Sequence, residues 1–298
     1  MKYVITGASG HTGKIVAEKL LEAKHEVVAI ARKLDNIQAL LEKGATAAIG
    51  DLSDEFFLTK TFENADAVYA LIPPIWNINE SWRVFQRRIG TNITNALENA
   101  KVKKVVILSS MGSQLSPFGA GPVSGIGEWE HQLQNVHDLN VLALRPGYFM
   151  ENLFAYIPQI KEHGAFGDAL LKDLKIPLTH TTDIANAAVK HLLSLNFEGF
   201  SQTFVGGAQD YAMQEAAQIL GTAIGIPHLQ YIQYPAEDSK NGMVAAGVPT
   251  QIAEGYIKLF AGLNSGAYLA DFVRTAENTT ETSLQDFASQ FAAAYKNS

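Results

Sequence analysis

A doubly wound α/β fold, a parallel sheet with helices on both faces, is predicted by three features of this 298-residue chain. Apolar runs of strand length alternate with stretches of helical periodicity through the first half. The first run leads at once into a glycine-spaced turn and an amphipathic stretch. After Arg145 the rhythm loosens, and Gly, Pro and aromatic residues become denser. A smaller, partly interleaved C-terminal substrate domain is expected there.

Each element has its own signal. Lys2–Thr6 reads as the first strand, and Thr12–Ala23 as a helix with Ile15, Val16, Leu20 and Leu21 on one side. Glu26–Ala31 is the second strand, followed by a helix through Ile37, Leu40 and Leu41. Thr46–Ile49 is the third, with a helix from about Phe56 to Phe62. Ala67–Ile72 is the fourth, ended by Pro73-Pro74, which cannot continue a ladder. A long helix over 80–100, a fifth strand at Lys104–Ser109, a helix over 127–137 and a sixth strand at Val141–Arg145 complete the alternation. Further helices are expected at Thr182–Ser194 and Leu284–Tyr295, the latter opened by Thr282 and Gln285 at capping-box spacing. The expected division is a Rossmann-type nucleotide domain over 1–150, rejoined by segments around 176–206, and a smaller substrate or lid domain over 151–298.

Composition narrows the function. Hydrophobic residues make up 47% and charged residues 18%, ordinary for a soluble globular chain. A net charge of −7, without a Lys/Arg stripe, argues against a nucleic-acid partner. Cysteine is absent, which removes disulfides, zinc–thiolate sites and cysteine nucleophiles. The eight histidines lack metalloprotease spacing and an accompanying carboxylate cluster, so no metal site is expected. No signal-peptide pattern or membrane-length apolar run is visible, so a cytoplasmic location away from the membrane is expected.

The turn Thr6-Gly7-Ala8-Ser9-Gly10-His11-Thr12-Gly13 points to a dinucleotide. In a strand–turn–helix, glycines allow the sharp turn, the approach of a pyrophosphate to backbone, and close helix–sheet contact. The helix opening near Thr12 offers amides and its positive dipole end to phosphate. Thr6, Gly7, Ser9, Gly10, His11, Thr12 and Gly13 are therefore candidate cofactor residues, with a positive φ considered at Gly10. For His11, nucleotide contact and simple solvent exposure both stand. Arg32 and Lys33 end the second strand, where a dehydrogenase preferring NAD usually carries an acid; two cations suit the 2′-phosphate of NADP(H). Asp35 is read as a helix cap. Asp51 either accepts from the adenine amino group, with Leu52 packed on the ring, or ends the strand and caps a helix. Leu71 and Pro73 should pass near the adenine ribose. Trp76 is either a pocket wall or packed on the next helix. Ser109 and Ser110 end the fifth strand at nicotinamide level, placed to orient a carboxamide or a substrate carbonyl. Residues 114–127 form either a lid or a plain connection.

With these residues and Arg145-Pro146-Gly147-Tyr148-Phe149-Met150-Glu151-Asn152 in view, the chain resembles the NmrA-like, atypical branch of the short-chain dehydrogenase/reductases. Thr182-Asp183-Ile184-Ala185 and the final Leu284-Gln285-Asp286-Phe287-Ala288 helix extend the likeness over most of the chain. The resemblance implies NADPH-dependent quinone or azo-dye reductases on one side and nucleotide-sensing regulators on the other. Typical short-chain enzymes carry a Tyr-x-x-x-Lys pair after the fifth strand. Here no lysine lies between Lys104 and Lys161 and no tyrosine between Tyr69 and Tyr148. Gly127-Glu128-Trp129-Glu130 stands in its place, which disfavours alcohol dehydrogenase and epimerase chemistry. Two functions follow: a reductase of conjugated small-molecule acceptors, with Ser110 and Tyr148 as candidate catalytic donors, or a non-catalytic NADP(H) sensor. A reductase needs an open pocket beside the nicotinamide; a sensor should have it plugged. A homodimer or a protein partner is compatible with either.

Overall fold

The computed structural model describes residues 1–74, 80–116 and 121–298. Strands β1 (Lys2–Ile5), β2 (Glu26–Ala31), β3 (Thr46–Ile49), β4 (Ala67–Ala70), β5 (Lys104–Leu108) and β6 (Asn140–Pro146) alternate with helices α1 (His11–Glu22), α2 (Gln38–Glu42), α3 (Glu55–Phe62), α4 (Trp82–Asn99) and α5 (Ser124–Leu133). There follow β7 (Tyr148–Phe149), α6 (Ile157–His163), β8 (Ala165–Asp168), β9 (Ile176–Thr179), α7 (Thr181–Ser194) and β10 (Phe200–Val205). The chain ends with β11 (Asp210–Tyr211), α8 (Met213–Ala223), β12 (Gln230–Gln233), α9 (Ala236–Ala245), α10 (Thr250–Asn264) and α11 (Leu284–Asn297).

The central sheet runs β3-β2-β1-β4-β5-β6-β10, every pair parallel. Strand order reverses between β1 and β4, which opens a crevice at their carboxyl ends. Alternate side chains serve opposite faces. Tyr3 and Ile5 join Val16, Leu20 and Leu192 on one side, while Val4 joins Leu58, Phe62, Ile93 and Trp129 on the other. Helices cover both faces, so the strands read as continuous apolar runs rather than alternating ones.

A third core, with Phe166, Tyr211, Leu220, Tyr231, Phe260 and Phe287, gathers the later elements. It sits around two small sheets, β11-β9-β7 and β12-β8. None of these five strands was read from the sequence; β7 and β11, with two residues each, carry no measurable period. The later chain returns to the central sheet where β10 pairs with β6, and the Asp183 carboxylate on α7 ties that body to the segment before α11, accepting from Thr280 Oγ1 (2.7 Å), Thr282 Oγ1 (2.8 Å) and Thr282 N (3.1 Å).

Several boundaries differ from the sequence reading, each for a local reason. Strand β4 stops at Ala70 because the Leu71 amide leaves the ladder and donates to Thr6 Oγ1 (3.0 Å). Helix α5 starts earlier than expected and runs through Gly125 and Gly127, which close packing requires. A Cβ on Gly127 would stand 2.2 Å from the Ser113 carbonyl oxygen. Asp35 lies inside a short 3-10 turn and caps nothing through its side chain. Asp51 does not cap α3 either; Asp54 does, accepting from Phe57 N (2.9 Å). The cap of α11 is Ser283, not Thr282: Ser283 Oγ accepts from Asp286 N (3.1 Å) and the Asp286 carboxylate accepts from Ser283 N (2.9 Å). Thr282 is drawn off to Asp183. Ser283→Ala should accordingly cost about 1 kcal/mol of stability. An unchanged denaturation midpoint in urea would show that this cap contributes nothing.

Candidate active site

The glycine turn closes on one carbonyl. Gly7 takes φ +61, and its oxygen accepts from Gly10 N (2.9 Å). That same oxygen would lie 2.3 Å from a Cβ on Gly13, so α1 starts this close to the turn only because Gly13 has no side chain. The left-handed residue is thus Gly7; Gly10 is extended at φ −91, which corrects the positive φ considered there. Helix α1 has neither a side-chain cap nor an acid in its first turn. Ser9, Gly10 and His11 are exposed at its tip, so the positive dipole end faces the crevice, as an anionic pyrophosphate requires. The buried threonines serve the frame: Thr6 Oγ1 holds Leu71 N, and Thr12 Oγ1 accepts from the Tyr69 hydroxyl (3.0 Å).

Beyond β2, Arg32 and Lys33 are exposed, and neither forms an ion pair among the described residues. Asp51, past β3, accepts from Ser53 N (2.8 Å). Hydrogen bonding from Ser53 holds its carboxyl below the usual range, with Arg32 and Arg88 adding to the effect. Leu52 is half-buried beside it. Leu71 lies under Gly7, and Pro73 reaches the cavity described next. Trp76 falls outside the described residues, as do positions 117–120 of the expected lid. The flanks of that segment are anchored, with Gln114 Nε2 donating to the Ala267 and Tyr268 carbonyls (both 3.3 Å).

A cavity of about 280 Å³ opens at the carboxyl ends of β4, β5 and β6. Its wall includes Ile72, Pro73, Leu108, Ser109, Ser110, Met111, Tyr148, Phe149 and Asn152, with Tyr256, Leu259 and Tyr268 closing it from the C-terminal body. The lining is mainly apolar and aromatic. Ser110 Oγ donates to the Met111 carbonyl (2.9 Å). Burial pushes the Tyr148 hydroxyl's pKa far up, with Asp168 and Tyr256 adding to the effect. Burial likewise raises Tyr256 to about 12. Sequence reasoning missed Met111, Tyr256, Leu259 and Tyr268. The last three lie more than a hundred residues from β5 and carry no local motif.

Beneath the cavity, Glu130 and Arg145 form an ion pair with side chains 2% and 6% exposed. Arg145 Nε donates to Glu130 Oε1 (3.1 Å), and the same oxygen accepts from Ser109 Oγ. Ser109 Oγ also contacts Ser113 Oγ (2.8 Å). The Ser109 hydroxyl is therefore engaged by this network. The other acid of the segment, Glu128, pairs with Arg83 (2.9 Å) and Arg87 (2.7 Å).

Comparison with known proteins follows the same geometry. A family model described as NAD(P)H-binding matches residues 7–191. The NAD(P)H azoreductase of Xenophilus azovorans is 28% identical over 293 residues, 98% of this chain and 97% of that protein. Quinone oxidoreductase 2 of Escherichia coli is 28% identical over 269 residues, 90% of each chain. A crystal structure of the Escherichia coli NADPH-dependent quinone oxidoreductase with NADPH matches with TM-score 0.83 and 24% identity, over 97% of this chain and 99% of that one. The negative transcriptional regulator NmrA, in complex with NADP, shares the fold at TM-score 0.71 and 14% identity, over 98% and 91% of the two chains.

Removing one partner of the Glu130–Arg145 pair strands a buried charge, so Glu130→Ala should destabilise the fold by about 3–5 kcal/mol. Denaturant titration checks this; a loss below about 1 kcal/mol, the level of an exposed pair, would mean the pair is solvated.

Proposed function

The chain belongs to the NAD(P)H-binding family, and from that premise we propose an NADPH-dependent reductase of quinones or similarly conjugated acceptors. One observation carries the reading: an open cavity lined by Tyr148, Phe149, Tyr256 and Tyr268 lies beyond the strand ends on the crevice side. A flat apolar acceptor suits such walls. A purely regulatory role, with this space plugged, has weaker support.

The glycine turn fits the cofactor's pyrophosphate because its first helical turn lacks a side-chain cap. In this reading Gly7, Ser9, Gly10, His11 and Gly13 surround the pyrophosphate, with Thr6 and Thr12 holding the turn. Arg32 and Lys33 take the 2′-phosphate, Asp51 and Leu52 the adenine, and Leu71 and Pro73 the ribose. Ser109 shapes the floor through Glu130. Ser110 and Tyr148 meet the acceptor. When bound, the reduced nicotinamide supplies a hydride; the protein must orient the acceptor and manage the resulting negative charge.

That charge decides the acceptor class. An isolated ketone yields an alkoxide, whose conjugate acid has a pKa near water's value of about 15.7. A quinone yields a phenolate-like oxyanion near about 10. The difference is worth about 7–8 kcal/mol of proton affinity. Without a Tyr-x-x-x-Lys pair, hydrogen bonds from Ser110 or Tyr148 suffice for the milder oxyanion only.

Two measurements test the reading. Arg32→Ala should weaken NADPH about tenfold or more while leaving NADH nearly unchanged, since a charge-assisted phosphate contact is worth roughly 1.5–3 kcal/mol. Equal losses for both nucleotides by calorimetry would remove the 2′-phosphate assignment. Among acceptors, NADPH oxidation is expected with quinones and azo compounds and not with simple ketones. Brisk turnover of an unactivated ketone would overturn the acceptor class, and none with any acceptor would move the function to NADP(H) sensing.

A further inference from the structure

The cavity has a wall without charge. Among the described residues no Asp, Glu, Lys, Arg or His lines it. The segments Ile75-Trp76-Asn77-Ile78-Asn79 and Pro117-Phe118-Gly119-Ala120 contain no acidic or basic residue in sequence either. Buried ions outside the wall are already partnered. Glu130 and Arg145 pair with each other beneath the floor. Asp168, 4% exposed, is taken up by the Tyr156 and Tyr231 hydroxyls and by the Leu170 amide (2.7 Å).

Most polar side chains of the wall are engaged as well. Gln86 Nε2 donates to the Pro122 carbonyl (2.7 Å), and its Oε1 packs against Gly125. Ser109 is held by Glu130, and Ser110 donates to the Met111 carbonyl. Asn152 stands half-buried in the wall, and its amide makes no hydrogen bond among the described residues. Such an amide still has two N–H donors to give. The hydroxyls of Tyr148, Tyr256 and Tyr268 stay protonated, because burial raises all three. A ligand entering here meets neutral partners only.

On the reductase reading above, we propose that the site rejects acceptors whose reacting ring system is anionic, and that Asn152 is a specificity-determining residue whose amide holds a neutral acceptor by one oxygen. Ser110 or Tyr148 serves the carbonyl that receives charge, and Asn152 serves the other. A sulfonate or carboxylate on the ring would leave water with no cation opposite it, which is far costlier than burying a neutral group. The oxyanion made by reduction differs, since it forms on an oxygen whose donors are already in place. The exclusion is confined to anions, because the faces of an aromatic wall attract cations. It is also confined to the rings: the cavity is open, so an anion on a long flexible substituent stays in water. The overall charge of −7 repels anions too, but through solvent, where salt screens it. Desolvation at the wall is not screened.

The test uses the full-length protein, NADPH and three naphthoquinones. One carries a methyl sulfone on the ring, one a sulfonate at the same position, and one a sulfonate at the end of an alkyl chain. The first two match in size and both substituents withdraw electrons, so the pair isolates charge. The sulfone and the tethered sulfonate should both be reduced. The ring sulfonate should fall roughly a hundredfold or more in kcat/KM, the scale of an unpaired buried charge, and should not compete with the sulfone. That gap should persist at about 1 M salt, where long-range repulsion is screened. Asn152→Leu should slow the sulfone by up to about tenfold, the scale of one lost hydrogen bond. Asn152→Lys should raise the ring sulfonate and not the sulfone. A ring sulfonate reduced as fast as the sulfone, or recovering in high salt, would overturn the exclusion; these wild-type arms decide it whether or not a variant folds. A folded Asn152→Lys protein with an unchanged preference would remove Asn152 from the site. No NADPH oxidation with any of the three would overturn the reductase reading instead, and the exclusion with it.

Discussion

The buried pair of Glu130 and Arg145 is the constraint on which the site depends. It joins helix α5 to strand β6, and through Ser109 it reaches the end of β5. Two charges removed from water are tolerable only when each satisfies the other in good geometry. The floor of the cavity is therefore set by an all-or-none arrangement rather than by adaptable packing. Pro146, Gly147 and Tyr148 leave β6 from that fixed point, so the cavity wall inherits its position.

Above this floor, the cavity draws on parts of the chain that have nothing local in common. The ends of β4 and β5 supply one side, and the turn after β6 supplies another. Tyr256, Leu259 and Tyr268 arrive from α10 and the segment after it. The Tyr268 ring fits there because Gly112 and Gly262 lack side chains, a Cβ at either coming within 2.6 Å and 2.2 Å of it. An apolar space of this kind separates the tasks of the molecule. The polar turn and exposed cations suit a nucleotide, while the aromatic chamber suits an uncharged conjugated partner.

The halves of the chain differed in how much they disclosed. In the first half apolar runs alternate with stretches of helical periodicity, so the type and approximate limits of most elements were legible. The glycine spacing was legible too, because a turn that meets its own helix needs residues without side chains at fixed intervals. Strand ends were less so: the exit of Leu71 from the ladder depends on Thr6, a neighbour only in the folded sheet. The capping of α11 by Ser283 was hidden for a similar reason, since Thr282 had an equally suitable side chain and was claimed by Asp183.

From its own local pattern the sequence determined the doubly wound sheet and the glycine turn that follows its first strand, since periodicity and backbone freedom are properties of neighbouring residues. Only the tertiary structure decided the strand order with its reversal between β1 and β4, which side chains face the cavity, and that Ser109 is engaged by Glu130. These are contacts between distant segments, made by hydrogen bonds and burial that no spacing along the chain encodes.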